Sequence, residues 1–486
     1  MKKLVSLVLA LCMLLSVVAV ASAEEKVVIN VWRKTFNLAQ PDQEQVKKVE
    51  AAINAYIADK SNVQIVLTDI AGEYEDQAKL ALANNEIDLL WTASWESIIG
   101  TNDLVPANAV ADITDYLPGT ALYGSMAEGQ WEATKYNGRN YFIPVYKDNV
   151  EGYDFMFRKE LVDQFGWDIS TVKTLADVEP MLIQAKEGGL KYPYLTQKTS
   201  MFYRWNIDKF DFFTADASTN FFAVDRATNE VVNVLATADY VDFCKLMGKW
   251  GEMGLIHEDD WTKVTTDTTT QSQDWAMSWW TDIPVNAEAN ARYGQEVVMT
   301  PATQRYAHST SALGSCYAIT TTDEAKIKAA IEFMGLLYTD SKLADMYTFG
   351  IEGEDFTYTQ EEGQTIAHVT QTSEKYNHSM WESANATIVT PLANEPDNKA
   401  DLYDAFNGGA LTSCAAGFRF DKTPVEAEYA ACQALFDQYG FVLENGGVPA
   451  DAVEDYIAMY QADLDAAGFQ TCLAEFQNQY NAWKAQ

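Results

Sequence analysis

Between Val27 and Trp95 the spacing of apolar residues switches from a period of two to a period near ~3.6 and back again, which constrains the fold more than any other feature of the chain. Val27 to Trp32 alternates as an exposed-edge or first core strand. Gln43 to Ala58 carries Val46, Val49, Ala52, Ile53, Tyr56 and Ile57 at helical intervals, and Val63 to Leu67 is again a strand. A helix from Glu75 to Ala83 and a strand from Ile87 to Trp91 continue the series. Such alternation predicts an α/β layer built on a largely parallel sheet. Ligands bind sheets of this kind at the carboxyl ends of the strands. Trp32 and the run Trp91-Thr92-Ala93-Ser94-Trp95 fall at those ends.

The chain has 486 residues. Single hydrophobic cores stop growing beyond roughly 250–300 residues, so two lobes are expected. Met1-Lys2-Lys3, the apolar stretch from Leu4 to Val20 and the small residues Ala21-Ser22-Ala23 read as a secretory signal, which makes Glu24 the expected first mature residue. The apolar stretch is shorter than the roughly 20 residues a membrane span needs, and no second one follows. The mature protein is expected to be soluble and exported. Leu11 stands before Cys12 where a lipoprotein signal needs a small residue, so a lipid anchor at Cys12 is not expected.

Loss of residues 1–23 removes two lysines and no acids, leaving 32 basic against 70 acidic residues and shifting the net charge from -36 to -38. A surface this acidic disfavours nucleic acid and anionic membranes as partners. The mature cysteines, Cys244, Cys316, Cys414, Cys432 and Cys472, are odd in number and lack C-x-x-C spacing. A Cys414–Cys432 bridge and a set of reduced buried thiols both fit that pattern.

Pro144 within the short strand Tyr141 to Tyr146 suits a sheet edge or a passage between lobes rather than a central strand. A second lobe follows, with a helix from Leu175 to Ala185, a hairpin of Phe221 to Val224 with Val231 to Val234, and a helix from Val241 to Met253. Strands at Glu296 to Met299 and Ala312 to Thr320 and a long helix from Asp323 to Tyr338 return the chain towards the first lobe. Pro424 to Lys484 is almost entirely helical by its spacing.

Six segments occur in an order that resembles the family 1 extracellular solute-binding proteins, in the branch whose C-terminal helical piece is a domain of unknown function. They are Ile87 to Trp95; Trp131-Glu132-Ala133-Thr134-Lys135 with Tyr136-Asn137-Gly138 and Ile143-Pro144; Phe157-Arg158-Lys159-Glu160-Leu161 with Phe165-Gly166; Lys249 to Ile256; Tyr347 to Gly353; and Gly417-Phe418-Arg419-Phe420-Asp421. The resemblance implies a two-lobed periplasmic-binding-protein-like fold of type II with a C-terminal helical extension. It also implies two chain crossings, an interlobe cleft, and delivery of the ligand to the transmembrane subunits of an ABC permease. Members closest in pattern are usually assigned to sugars. The chain departs from the family twice, in lacking a lipoprotein cysteine signal and in matching the usual Trp-x-x-Gly-Asn pattern only loosely at Met380-Trp381-Glu382-Ser383-Ala384-Asn385.

A sugar presents apolar C–H faces and a rim of hydroxyls, so its site needs flat aromatic rings beside planar groups that make paired hydrogen bonds. Trp32, Arg33, Trp91, Trp95, Tyr146, Lys147, Asp148, Trp280, Asp282 and Trp381 are the candidate ligand-binding residues. Pro144 and Gly314 are the candidate hinges, because closure needs a few positions that absorb backbone rotation. Of the 13 tryptophans, about three to five are expected in the cleft and the rest in the cores. The expected division is 24–147 with 303–349 for lobe 1, and 148–302 with 350–486 for lobe 2, the latter including the helical segment 424–486.

No nucleophile elbow, H-E-x-x-H motif or phosphate-binding glycine loop is present, and the four histidines lack metal-ligand spacing. The expectation is a monomeric binding component of an importer, with no cofactor, no metal and no catalytic residues, that captures a sugar or oligosaccharide. The competing readings are a secreted carbohydrate-active hydrolase, which needs two carboxylates about 5–10 Å apart across a cleft, and a ligand sensor subunit for a membrane kinase.

Overall fold

The computed structural model describes residues 26–196, 200–213, 221–261, 274–281, 285, 294–308 and 310–485. The expected signal segment 1–23 and the candidate Asp282 lie outside them.

The first lobe is built on β1 (Val27–Lys34), β2 (Val63–Ile70) and β3 (Leu89–Thr92), joined by α1 (Gln43–Ile57) and α2 (Tyr74–Ala83). Asp42 caps α1 by accepting the backbone N–H groups of Glu44 and Gln45, and Val46, Val49, Ile53 and Ile57 form its buried face. β1 pairs in parallel with β2 and β3, which places it inside the sheet. The returning strand Cys316–Ile319 and β4 (Phe142–Pro144) extend the sheet antiparallel, giving the order β2, β1, β3, Cys316–Ile319, β4. Pro144 thus sits on an edge strand, where its missing N–H costs no ladder bond. The long helix Glu324–Leu337, capped by Asp323, covers the sheet.

The second lobe has a separate core. Its centre is Tyr153–Arg158, flanked on both sides by antiparallel strands Met277–Thr281 and Val297–Pro301. Phe222–Asp225 and Glu230–Asn233 form the hairpin read from sequence, with Val224 opposite Val231. Beside them pack the C-terminal helices, whose residues Tyr429, Cys432, Ile457, Tyr460, Leu464, Phe469, Phe476 and Tyr480 belong to the same core. Gly248 and Gly251 permit this contact. A Cβ at either position would strike the carbonyl of Val448 or Gly446 in the C-terminal segment.

Three passages join the lobes, one more than the family resemblance implied. Glu151 in the first pairs antiparallel with Tyr306 in the second, and Tyr306–Ala307 pairs in parallel with Leu411–Thr412 in the third. The extra passage exists because much of the chain between 350 and 403 stays on lobe 1, contrary to the expected division. Tyr376 and Ala384 are part of the lobe 1 core, and Phe356, Val369, Met380, Val389 and Tyr403 form a small cluster with Ala344 and Phe349. To reach its terminal helices the chain must then cross again. The five described cysteines are free thiols, so Cys414 and Cys432 are not bridged.

Candidate functional site

The carboxyl ends of β1 and β3 carry a cluster of aromatic rings. Phe36 lies 4.7 Å from Trp381, 5.3 Å from Trp91 and 5.9 Å from Trp95, centroid to centroid. Trp91 is fully buried beneath the others and donates its indole N–H to Ser315 Oγ at 3.0 Å. It is a core residue, since β3 is enclosed on both faces. Trp95 and Trp381 are half-buried, and Phe36 is 37% exposed. Trp95 Nε1 donates to the Gly314 carbonyl at 2.7 Å, which fastens the cluster to the second passage. Trp32, half-buried, packs on the same core.

Period-two geometry sends the neighbours Arg33 and Lys34 to opposite faces of β1. Arg33 follows Ile29 and Val31 inward and is 2% exposed. Its Nε and Nη2 grip the two Asp69 oxygens at 2.8 and 2.7 Å, while Nη1 donates to the Tyr347 carbonyl and Nη2 also to Tyr376 Oη. The expectation that Arg33 meets ligand is therefore corrected: its charge is consumed inside lobe 1. Burial pushes the Asp69 carboxyl up, but Arg33 and His378 outweigh it and hold the group well below the usual carboxylate range. Lys34 is the cation at the cluster, 5.0 Å from the Phe36 centroid and 5.2 Å from that of Trp95. Glu96 pairs with it at 2.7 Å, and burial, opposed by Lys34, pushes the Glu96 carboxyl up to about 7.

The passages supply the floor. Tyr146 donates its hydroxyl to Asp404 at 2.7 Å; burial first, and then that carboxylate, push the phenol up to about 12. Lys147 pairs with Asp148 at 3.2 Å, and the Asn407 amide donates to the Lys147 carbonyl at 2.7 Å. Of the hinge candidates, Pro144 is fixed in the lobe 1 sheet, where its carbonyl accepts the Tyr338 hydroxyl at 2.7 Å. Gly314 lies within the second passage in right-handed conformation, with φ -60°.

On lobe 2 the strand Met277–Thr281 turns Trp280 into a pocket of Met156, Leu195 and Trp275, leaving it 8% exposed. Trp280 is thus a packing residue. Its neighbour Trp279 takes the opposite face, 5.5 Å from the Tyr153 ring and beneath the Arg204 guanidinium at 4.3 Å. Alternation dictates that the two tryptophans part company without saying which faces inward. Glu151, at the first passage, accepts from Tyr153 Oη at 2.5 Å and Tyr203 Oη at 2.8 Å, and meets His308 Nε2 at 2.6 Å.

The structure therefore gathers Trp95, Trp381, Tyr146, Lys147 and Asp148 beside the passages, and places Arg33, Trp91 and Trp280 in the cores. Sequence reading missed Phe36, Lys34 and Arg204, and within the run Trp279-Trp280-Thr281-Asp282 it favoured Trp280 over Trp279. Phe36 follows the end of β1 and was legible by the strand-end rule, had aromatic residues other than tryptophan been weighed there. Arg204 shows as the one charge within Met201-Phe202-Tyr203-Arg204-Trp205.

Residues 414–485 match the model of a domain of unknown function, DUF3502. Over the whole chain the structure is similar to the N-glycan transport solute binding protein NgtS of Streptococcus pneumoniae, with TM-score 0.80, 22% identity, and coverage of 94% of this chain and 99% of that one. This is the fold of a two-lobed extracellular solute-binding protein. The same NgtS in complex with Man5GlcNAc aligns with TM-score 0.71 at 22% identity, covering 94% of this chain and 98% of that one. A human-milk-oligosaccharide-binding solute binding protein associated with an ABC transporter, from Bifidobacterium longum infantis, gives TM-score 0.63 at 16% identity, covering 95% and 99%. In sequence, a carbohydrate ABC transporter substrate-binding protein of Streptococcus pneumoniae serotype 4 (strain ATCC BAA-334 / TIGR4) is 23% identical over 382 residues, 77% of this chain and 76% of that protein. No helix among the described residues is long and apolar enough to cross a membrane.

Proposed function

We propose that this protein is the exported receptor of an ABC importer, and that it captures a glycan between its lobes and delivers it to the transmembrane permease subunits. The observation that carries this reading is the platform of Phe36, Trp95 and Trp381, tied to the interlobe passages by the bond from Trp95 to Gly314. Exposed rings at strand ends give a sugar its apolar face, and the relatives named for carbohydrate binding and transport support the ligand class. Trp95, Trp381, Tyr146, Lys147 and Asp148 line the site, and Phe36 joins them. The chain is exported by cleavage after Ala23, acts as a monomer, and rotates about the passages near Gly314.

The carboxylates beside the platform and passages favour a receptor over a hydrolase. Glu96 is ion-paired to Lys34, Asp148 to Lys147, and Glu151 is occupied by two tyrosines and a histidine.

A thermal-shift screen of residues 24–486 against mono- and oligosaccharides, amino acids, peptides and polyamines tests the reading. Ligand at 100 times its Kd stabilises the folded state by about 2.7 kcal/mol, so a glycan hit without product formation is expected. Hits confined to peptides or amines refute the ligand class, and turnover of a glycan refutes the receptor.

A further inference from the structure

The helix Met201–Asn206 buries five of its six residues in the second lobe, and Arg204 alone is half-exposed. The guanidinium rests 4.3 Å above the Trp279 ring, with the Tyr153 and Tyr203 rings at 5.0 and 5.1 Å. Such stacking favours arginine over lysine, because only the planar, weakly hydrated cation lies flat on a ring. Nη1 donates to Tyr153 Oη, which in turn donates to Glu151. That relay fixes the plane of the fork, and Glu151, which bonds to the two tyrosines and His308 rather than to Arg204, acts on the guanidinium through its charge alone and leaves its donors free of a carboxylate. Among the described residues no carboxylate pairs with Arg204, and Nε makes no hydrogen bond.

A held cation with donors to spare is costly to keep unless something else supplies an acceptor. Its place is beside the first and second passages, through Glu151 and His308, on the lobe opposite the one that carries the aromatic platform. We infer that Arg204 is the specificity-determining residue of the second lobe, whose terminal Nη1–Nη2 end, on the side away from the buried Nε, receives a pair of adjacent oxygens on a glycan. This rests on the glycan-receptor reading above. Two sources present that chemistry, vicinal hydroxyls of a neutral sugar and the carboxylate of an acidic one, and an arginine fork matches both. Trp279 backs the fork, Tyr153 and Glu151 position it, and Ser200 and Glu444 anchor the start of its helix, where Glu444 accepts the Phe202 N–H at 3.1 Å.

The test compares the wild type with Arg204→Gln and Arg204→Lys by titration calorimetry, using Man5GlcNAc, kestose and an alginate oligosaccharide as probes. For at least one probe the wild type binds, both variants are expected to raise Kd about 10- to 100-fold, because lysine keeps the charge but not the fork. Loss on the neutral glycans identifies hydroxyls as the partner, and loss confined to alginate, steeper at low salt, identifies a carboxylate. Binding by both variants within twofold of the wild type for every probe that the wild type binds overturns the inference while leaving the receptor reading intact. Binding of no glycan by the wild type overturns the receptor reading and this inference with it. Should the variants fail to fold, phenylglyoxal labelling of the wild type, read at residue 204 by mass spectrometry, decides the matter instead: a bound glycan protects Arg204, and undiminished labelling overturns its role.

Discussion

Replacing Glu444 by glutamine is expected to stabilise the protein at neutral and alkaline pH. The side chain is fully buried in lobe 2, where Oε2 accepts Ser200 Oγ at 2.5 Å and the Phe202 N–H at 3.1 Å while Oε1 has no partner. Burial pushes the carboxyl from 4.5 up to about 7, against the pull of those donors. The folded state therefore holds this proton more tightly than the unfolded chain. The group's contribution is complete below pH 4.5 and is lost as pH rises through about 7. At about 1.4 kcal/mol per pH unit, the loss amounts to about 3 kcal/mol. Glutamine keeps one oxygen for both donors and carries no charge, so it escapes the loss. In a lobe of this size that corresponds to about 5–10 °C in melting temperature. Scanning calorimetry at pH 5 and pH 8.5 measures it directly: the wild type loses stability between the two pH values by more than Glu444→Gln does, and the variant melts higher at pH 8.5. Equal pH dependence in the two proteins, or a variant less stable at pH 8.5, refutes the argument.

The aromatic cluster divides by burial. Phe36→Ala should leave the unliganded melting temperature within about 2 °C while weakening a bound glycan about tenfold in calorimetric titration, since a sugar ring covers about 50 Å² of aromatic face at about 25 cal/mol per Å². Trp91→Ala should instead destabilise lobe 1 by about 3–5 kcal/mol in urea unfolding, the usual cost of truncating a buried large aromatic. Asp69→Asn, which strips the buried Arg33 of its counter-ion, should cost about 3–5 kcal/mol in the same assay. Thiol titration of the native mature protein should modify one cysteine, the exposed Cys414, and all five only after unfolding.

The alternation from Val27 to Trp95 was legible because strand and helix periods are local properties of the chain, and the hairpin around Asn229 for the same reason. What was not legible depends on contacts remote in sequence. The segment around Tyr376 and His378 joins lobe 1 because Arg33 and Asp69 seize it: Tyr376 accepts from Arg33 and His378 meets Asp69 at 2.9 Å. Nothing near residue 376 announces that pairing, so the third passage was missed with it. The candidate site failed in a narrower way. Strand ends pointed to loops beside the passages, but the face on which each side chain emerges separates Arg33 from Lys34 and Trp280 from Trp279, and a one-residue shift in face exchanges a surface position for a core one. Cysteine pairing was beyond reach for the same reason, since which thiols come together depends on helix packing rather than on spacing.

Titration calorimetry of the mature chain, residues 24–486, with glycans such as Man5GlcNAc and the milk oligosaccharides, followed by chromatography of the same sample, addresses the central claim most directly. The account predicts saturable one-to-one binding of at least one glycan, a negative heat-capacity change from covering the aromatic platform, and recovery of the sugar unchanged. Absence of heat across the glycan set, or appearance of a cleaved product, would contradict it.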